Sequence, residues 1–410
     1  MSITSYFFPI SKAKSKRVSA TGSVNRTTSE GKAKPRPTPY PETAERKPSQ
    51  PVTLNVSQTP SSSFILTSST GNPDTTSFSN GNHPRYINLK RIAEETIEAV
   101  ESGSFQLGGT IYDLKVAVNE MRSSTEFWSP DSKRLASWAA TRVVRPDIRR
   151  NLDISLQESS SLEGSRFLAA QISAQYFATT ASSYFSSSTA TPTATPKIGL
   201  LNFASATKPG GGFLNGASAQ EESIARSSTL YYSLTTRNAD EFYKLHKRMK
   251  HNGKWNGLGH TRNAGFYTHA MIYSPSVLLF RDDTGSWLKP LPVDVLTSAA
   301  VNAGDIRTKH HIKNAIKSEK RALEARIEKE MKERMARILH IFALKDVRNL
   351  VLGSFGTGVF KNNVEVVARL WKELLLEAGA PFEKSFDRVV FAVLGKETYE
   401  TFEEVLQLDS

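Results

Sequence analysis

In the run Pro209 to Ser223, PGGGFLNGASAQEES, three consecutive glycines, Gly210, Gly211 and Gly212, are followed after seven residues by Gln220, Glu221 and Glu222. Glycine lets backbone approach a ligand where any Cβ would collide, and it reaches dihedrals that other residues avoid. Carboxylates placed straight after such a loop can hold hydroxyl groups or move a proton. If the pair opens a helix running toward Leu234, its side chains diverge by about 100 degrees, so the two cannot face each other across one bond. They should have separate tasks. Taken alone, a glutamate pair at a helix start also reads as compensation of the helix dipole.

A second glycine-rich loop, GSFGTGVF, covers Gly353, Ser354, Phe355, Gly356, Thr357, Gly358, Val359 and Phe360. It follows an apolar run and precedes a helical one, so its amide hydrogens can form a cradle for phosphate oxygens. It is not the Walker loop and does not complete the dinucleotide fingerprint, and a plain tight turn is the structural alternative. Asn202 and Ser205 stand at the end of the apolar run before the first loop, and Asn302, Ala303 and Gly304 follow another. His310 and His311 are adjacent rather than spaced to close a metal site, so neither a metal nor a cofactor is expected.

These loops need a scaffold. Ile198 to Phe203, Val277 to Arg281, Val295 to Val301, Leu350 to Ser354 and Val389 to Leu394 read as short buried strands. Asn362 to Ala378 reads as a helix, with Val364, Val367, Ala368, Trp371, Leu374 and Leu375 on one face and Gly379 beyond its end. Strand, glycine loop, helix, strand is a crossover unit, which argues for an α/β sandwich around a mixed sheet with ligands beyond the carboxyl ends of the strands. Ile87 to Ser102 shows helical spacing and a stop at Gly103, and Leu162 to Phe177 is a second helical stretch. The Ser/Thr/Ala-rich run Thr179 to Thr195 reads as a surface insertion. Asp305 to Ala343 reads as one long charged helix with a mainly solvated face, a coiled-coil partner being the alternative.

The glycine triplet, the Gln-Glu-Glu that follows it and the words LNFASATKPGGGF and GSFGTGVF resemble the poly(ADP-ribose) glycohydrolases, in their compact bacterial and fungal type. The resemblance runs, with gaps, from about Arg85 to Phe402, and it implies a macrodomain-like three-layer α/β/α fold. It implies that Glu222 protonates the departing ribose hydroxyl and then activates water, while Glu221 holds ribose hydroxyls. Asn202, Ser205, Gly210, Gly211, Gly212, Phe213, Gln220 and Asn302 would contact ribose and phosphate. Gly353 to Gly358 would form the diphosphate loop, and Val359 and Phe360 would orient the distal ribose. Asn202 and Ser205 belong to an Asn-Phe-Ala-Ser word of the microbial type, where the animal enzymes carry Asp and Asn. TSAAV before Asn302 lacks the prolines often found there. MIYSPSVLLFRDD, Met271 to Asp283, also matches and reads as scaffold. The implied reaction is exo-acting release of ADP-ribose from poly(ADP-ribose) on modified proteins, with mono-ADP-ribosyl hydrolysis or binding without cleavage as alternatives.

The chain has 410 residues, no cysteine and a formal net charge of +13. Absence of cysteine excludes disulfides and cysteine-based catalysis or metal binding. Positive charge favours polyanions, among them poly(ADP-ribose), DNA and RNA. Residues 1–84 are rich in Ser, Thr, Pro, Lys and Asn and read as a disordered tail, whose ten Lys and Arg against four Asp and Glu give it +6. Residues 85–197 read as an accessory region and residues 198–410 as the catalytic core. No apolar run nears the roughly 20 residues of a membrane span, so the chain reads as soluble, and a monomer is expected. Lys12, Lys14, Lys16 and Arg17, with Lys32, Lys34 and Arg36, suggest a nuclear or cytoplasmic protein, a mitochondrial transit peptide being the alternative. Ile3, Tyr6 and Phe7 have the spacing of a sliding-clamp-binding peptide without its leading Gln.

Overall fold

The computed structural model describes residues 88–141, 143, 152–183, 196–255 and 264–408, all within the compact unit Gly81–Ser410. The tail 1–84, with its basic patches and the clamp-like Ile3, Tyr6 and Phe7, lies outside the described residues, as do residues 184–195 of the Ser-rich run.

The helices are α1 (Leu89–Ser102), α2 (Lys115–Ser123), α3 (Lys133–Ala136), α4 (Ser161–Ser183), α5 (Gln220–Arg226), α6 (Leu230–Leu234), α7 (Arg237–Trp255), α8 (Ala303–Lys309), α9 (Lys317–Leu344), α10 (Val364–Leu375) and α11 (Lys396–Leu406). The strands are β1 (Ser104–Leu107), β2 (Thr110–Asp113), β3 (Glu126–Trp128), β4 (Asp153–Gln157), β5 (Ile198–Phe203), β6 (Met271–Arg281), β7 (Trp287–Ser298), β8 (Asn349–Leu352) and β9 (Arg388–Ala392). β1 and β2 form a hairpin, and the other strands form one mixed sheet in the order β3-β6-β7-β5-β8-β9-β4. Pairing is antiparallel from β3 to β7 and parallel from β7 to β4.

Both faces of this sheet are apolar, and the strands show it residue by residue. Leu350, Leu352, Val389 and Phe391 enter one core with α9, α10 and α11, while Val351, Val390 and Ala392 enter the other with α4, α6 and α7. Successive side chains of a strand point to opposite faces, so this alternation requires a helical layer on each side. The expected three-layer α/β/α sandwich follows. The crossover unit is β8, the glycine loop, α10 and β9, and Asn363 caps α10 by accepting a hydrogen bond from the Val366 N–H at 3.0 Å.

Three expectations change. β3 and β4, from the segment read as accessory, complete the sheet, so the boundary drawn at residue 197 falls inside one folded unit. Through Ser183 the start of the Ser-rich run continues α4 rather than leaving it. The long charged helix is broken, because His311 adopts a left-handed φ of 50° between α8 and α9. Its second half is buried rather than solvated: Met331, Met335, Ile338, Leu339, Ile341 and Phe342 are core residues. Alternating charges dominate only the first turns of α9. From Leu323 onward the apolar stripe widens and wins.

Arg334 of α9 is fully buried and donates 2.8 Å hydrogen bonds to the carbonyls of Ala299 and Phe266. One cation thus ties together two loops at the ends of β7 and β6.

Candidate active site

A cavity of about 810 Å³ opens beyond the carboxyl ends of β5, β8 and β9. Ser205, Gly211, Gly212, Gln220, Glu221, Glu222, Ser354, Gly356, Thr357, Gly358, Val359 and Phe360 of the expected site line it. Both glycine loops and the acidic triplet therefore meet in one place, although about 140 residues separate them.

The triplet opens α5, a short helix that ends at Arg226; α6 begins only at Leu230. Each of its three side chains secures a different piece of the wall. Gln220 extends the hydrogen bonding of β5, accepting from the Phe203 N–H at 2.8 Å and donating to the Leu201 carbonyl at 2.7 Å. Glu221 accepts from the Ser205 N–H at 2.6 Å and from the Asn202 amide at 3.3 Å. Glu222, half-buried on the cavity wall, accepts from the Gly212 N–H at 2.9 Å. A Cβ on Gly211 would lie 2.2 Å from Glu222 Oε1 and 3.2 Å from Glu221 Oε2, and the residue has φ +59°. Glycine is required there because the carboxylates occupy the room a side chain would need.

Glu221 is 2% exposed, and burial pushes its carboxyl up to about 8. The Ser205 N–H, the Asn202 amide and the Gly210 N–H pull the other way, while the charge of Glu222 adds to the rise. Desolvation outweighs the donors, so Glu221 holds a proton near neutrality in the free protein.

The second loop is held from behind. A Cβ on Gly353 would lie 2.5 Å from the Ala392 carbonyl, and the Gly353 carbonyl accepts from the Trp371 ring N–H at 3.1 Å. The Asn362 amide donates to the carbonyls of Val301 (2.7 Å) and Gly356 (2.9 Å). Ser354, Gly356, Gly358, Val359 and Phe360 line the cavity, and their N–H groups donate to no acceptor among the described residues. Successive backbone donors of this kind form a concavity suited to an anion such as a diphosphate.

Several expected contact residues support the wall rather than line it. Asn202 is fully buried and donates to Thr297 Oγ1 at 3.1 Å as well as to Glu221. Phe213 packs in a small core with Ala93 of α1 and Ala225 of α5, anchoring the first loop. Phe355 is core, and Asn302 caps α8 by accepting from the Asp305 N–H at 3.0 Å. Gly210 and Gly353 also stand behind the lining.

Tyr267 and Asp283 are among the lining residues that the sequence reading did not single out. Tyr267, with φ 51°, packs on Phe360 at 5.8 Å between ring centres and follows Phe266, whose carbonyl Arg334 holds. Asp283, at the end of the segment read as scaffold, lines the cavity and accepts from Ser223 at 2.6 Å and Ser160 at 2.5 Å. Its signal was available as an Asp closing a strand, but Tyr267 sat among scattered aromatics with nothing to single it out.

Comparison with known proteins bears on this geometry directly. A family model described as microbial-type PARG, catalytic domain, matches residues 93–282. The crystal structure of poly(ADP-ribose) glycohydrolase from Thermomonospora curvata is 32% identical, with 77% of this chain and 98% of that chain covered and a TM-score of 0.61. The same enzyme bound to the inhibitor ADP-HPD aligns at 31% identity over 77% and 98%, with a TM-score of 0.58. Poly(ADP-ribose) glycohydrolase from Deinococcus radiodurans in complex with ADP-ribose aligns at 28% identity over 74% and 99%, with a TM-score of 0.54. No curated protein sequence matches. Identity and coverage of this order, on a chain whose two glycine loops and acidic triplet share one cavity, make it a member of the microbial-type poly(ADP-ribose) glycohydrolases.

Proposed function

We propose that this protein hydrolyses the ribose-ribose glycosidic bonds of poly(ADP-ribose), releasing ADP-ribose from the chain end. The observation that carries the reading is that Glu222 lines one cavity with five residues whose backbone donors have no acceptor among the described residues. The donors suit a diphosphate and the carboxyl suits a leaving oxygen. Positive charge builds at the anomeric carbon as the bond breaks, and a proton delivered to the departing 2′ oxygen completes the cleavage. Glu222 supplies that proton and then takes one from the attacking water. Glu221, neutral and fixed by Ser205 and Asn202, positions ribose hydroxyls beside it.

Exo action is favoured by the cavity's size, which falls in the range that takes one ligand as large as ADP-ribose. The basic patches of the tail support work in the nucleus, on chains made in the DNA damage response. The test of the reaction is Glu222→Gln. Release of ADP-ribose should drop by about 10²–10⁴-fold while ADP-ribose binding is kept. Unchanged turnover would remove Glu222 from this role.

A further inference from the structure

A chain with one unit in the cavity must carry its remaining diphosphates outside, and the ground beside the second loop is basic. Phe360 lines the cavity, and its carbonyl accepts from the Gly304 N–H at 3.0 Å. Lys361, next in sequence, is exposed, and its carbonyl accepts from Arg307 Nη1 at 2.6 Å. The rest of the Arg307 guanidinium grips Glu324 of α9 at 2.7 and 2.8 Å. One arginine thus fixes the first turns of α9 against the edge of the cavity. Lys320 and Arg321 lie four and three residues before Glu324, on the same helix face, and Lys317 lies one turn further. Lys320 Nζ donates to the Lys313 carbonyl at 3.3 Å, bringing that residue alongside.

From Asp305 to Arg321 there are six Lys and Arg against two acids. Those acids are committed: Asp305 pairs with Lys309 at 2.6 Å and Glu319 accepts from the Ile316 N–H at 3.2 Å. Lys313, Lys317, Lys320, Arg321 and Lys361 form no ion pair with a carboxylate among the described residues. Inside the cavity the balance is different. Its lining cations are Lys208 and Arg226, and Arg226 is buried beside Asp283 and Glu222. The cavity grips one unit by its backbone, and free positive charge is concentrated outside it.

We propose that this exposed band, Lys313, Lys317, Lys320, Arg321 and Lys361, binds the diphosphates of the poly(ADP-ribose) chain that extend beyond the cavity. The proposal rests on the reading of the cavity as a poly(ADP-ribose) hydrolase site. A polyanion held there releases counterions and is retained between successive cuts, so long chains gain affinity that short ones cannot. Duplex DNA is the competing polyanion. The contiguity of the band with Phe360 favours the substrate, because only a chain already seated in the cavity runs past that edge.

The test is the triple variant Lys313→Glu, Lys317→Glu, Lys320→Glu in the full chain, whose positions are exposed and outside the cavity. On long poly(ADP-ribose), KM should rise about tenfold or more at low salt with kcat kept, and the difference should close as salt screens the contact. Cleavage of the ADP-ribose dimer and affinity for ADP-ribose should stay unchanged. A long-chain KM that does not move, or an equal loss on dimer and long chain, overturns the band as a substrate surface. So does loss of duplex DNA binding with long-chain KM intact. Wild-type protein that cleaves no polymer at all removes the hydrolase reading, which is a distinct result from the first three.

Discussion

Two amide hydrogens of the first glycine loop are hydrogen-bonded within the protein, that of Gly211 to the Lys208 carbonyl at 3.0 Å and that of Gly212 to Glu222 at 2.9 Å, and the Gly210 N–H also acts on the Glu221 carboxyl. In the second loop, five have no such acceptor among the described residues. Both loops are rich in the same residue, follow a buried parallel strand and enter the same cavity. Their glycines nonetheless serve different ends. The first loop is folded around the protein's own carboxylates and fixes where a proton stands. The second is braced by Trp371 and Asn362, and its donors have no acceptor among the described residues. Glycine content alone signals close approach; what approaches depends on which groups the rest of the chain brings to the loop.

That contrast can be broken most sharply at the first loop. Beyond Glu222→Gln, the largest effect is expected from Gly211→Ala, since the new methyl would lie 2.2 Å from Glu222 Oε1 at a left-handed φ. Turnover should fall by about 100-fold or more, at a cost of about 1–3 kcal/mol in stability. Near-normal kcat in a folded Gly211→Ala protein would show that Glu222 need not sit where the loop holds it.

In the second loop the expected effects divide by position. Gly353→Ala meets the Ala392 carbonyl at 2.5 Å and should destabilise the protein by about 1–3 kcal/mol, seen as a lowered Tm. Gly358→Ala meets nothing within 4 Å and should leave stability within about 0.5 kcal/mol of wild type, with Tm nearly unchanged. A pair of equal Tm values would contradict the division between a braced rear and an open front.

A last effect, read from stability against pH and not from turnover, belongs to Glu221. Its proton is held up to about pH 8 in the folded protein, against 4.5 as the ordinary value. Stability from this group is therefore complete below about 4.5 and is lost as pH rises toward 8, at up to about 1.4 kcal/mol per pH unit. Tm should decline across that window in the wild type, and Glu221→Gln should flatten the decline. A wild-type curve as flat as the variant's would mean that the backbone donors, not burial, govern this carboxyl.

Much of this arrangement is legible in the sequence, for identifiable reasons. The five expected strands and the helix after the second loop lie where β-branched runs and helical spacing put them, because both sheet faces are buried and local pattern agrees with tertiary demand. The charged helix misled because its polar first turns and its buried last turns average into one solvated pattern, and nothing local announces the left-handed His311. At the site, spacing identified the loops and the triplet, whose geometry is short-range. It could not separate residues that line the cavity from those that stand behind it. Phe213 depends on packing against Ala93, 120 positions upstream, and Tyr267 on a loop pinned by an arginine from α9. Such partners meet only after the sheet has formed.

The second loop offers its donors through the main chain, and this bears on inhibition. A compound whose anionic group engages the N–H groups of Ser354, Gly356, Gly358, Val359 and Phe360 would depend on no side chain that a single codon change could delete. Escape from it would have to come by reshaping the loop itself, and the Ala392 carbonyl pressed against Gly353 leaves little room for that.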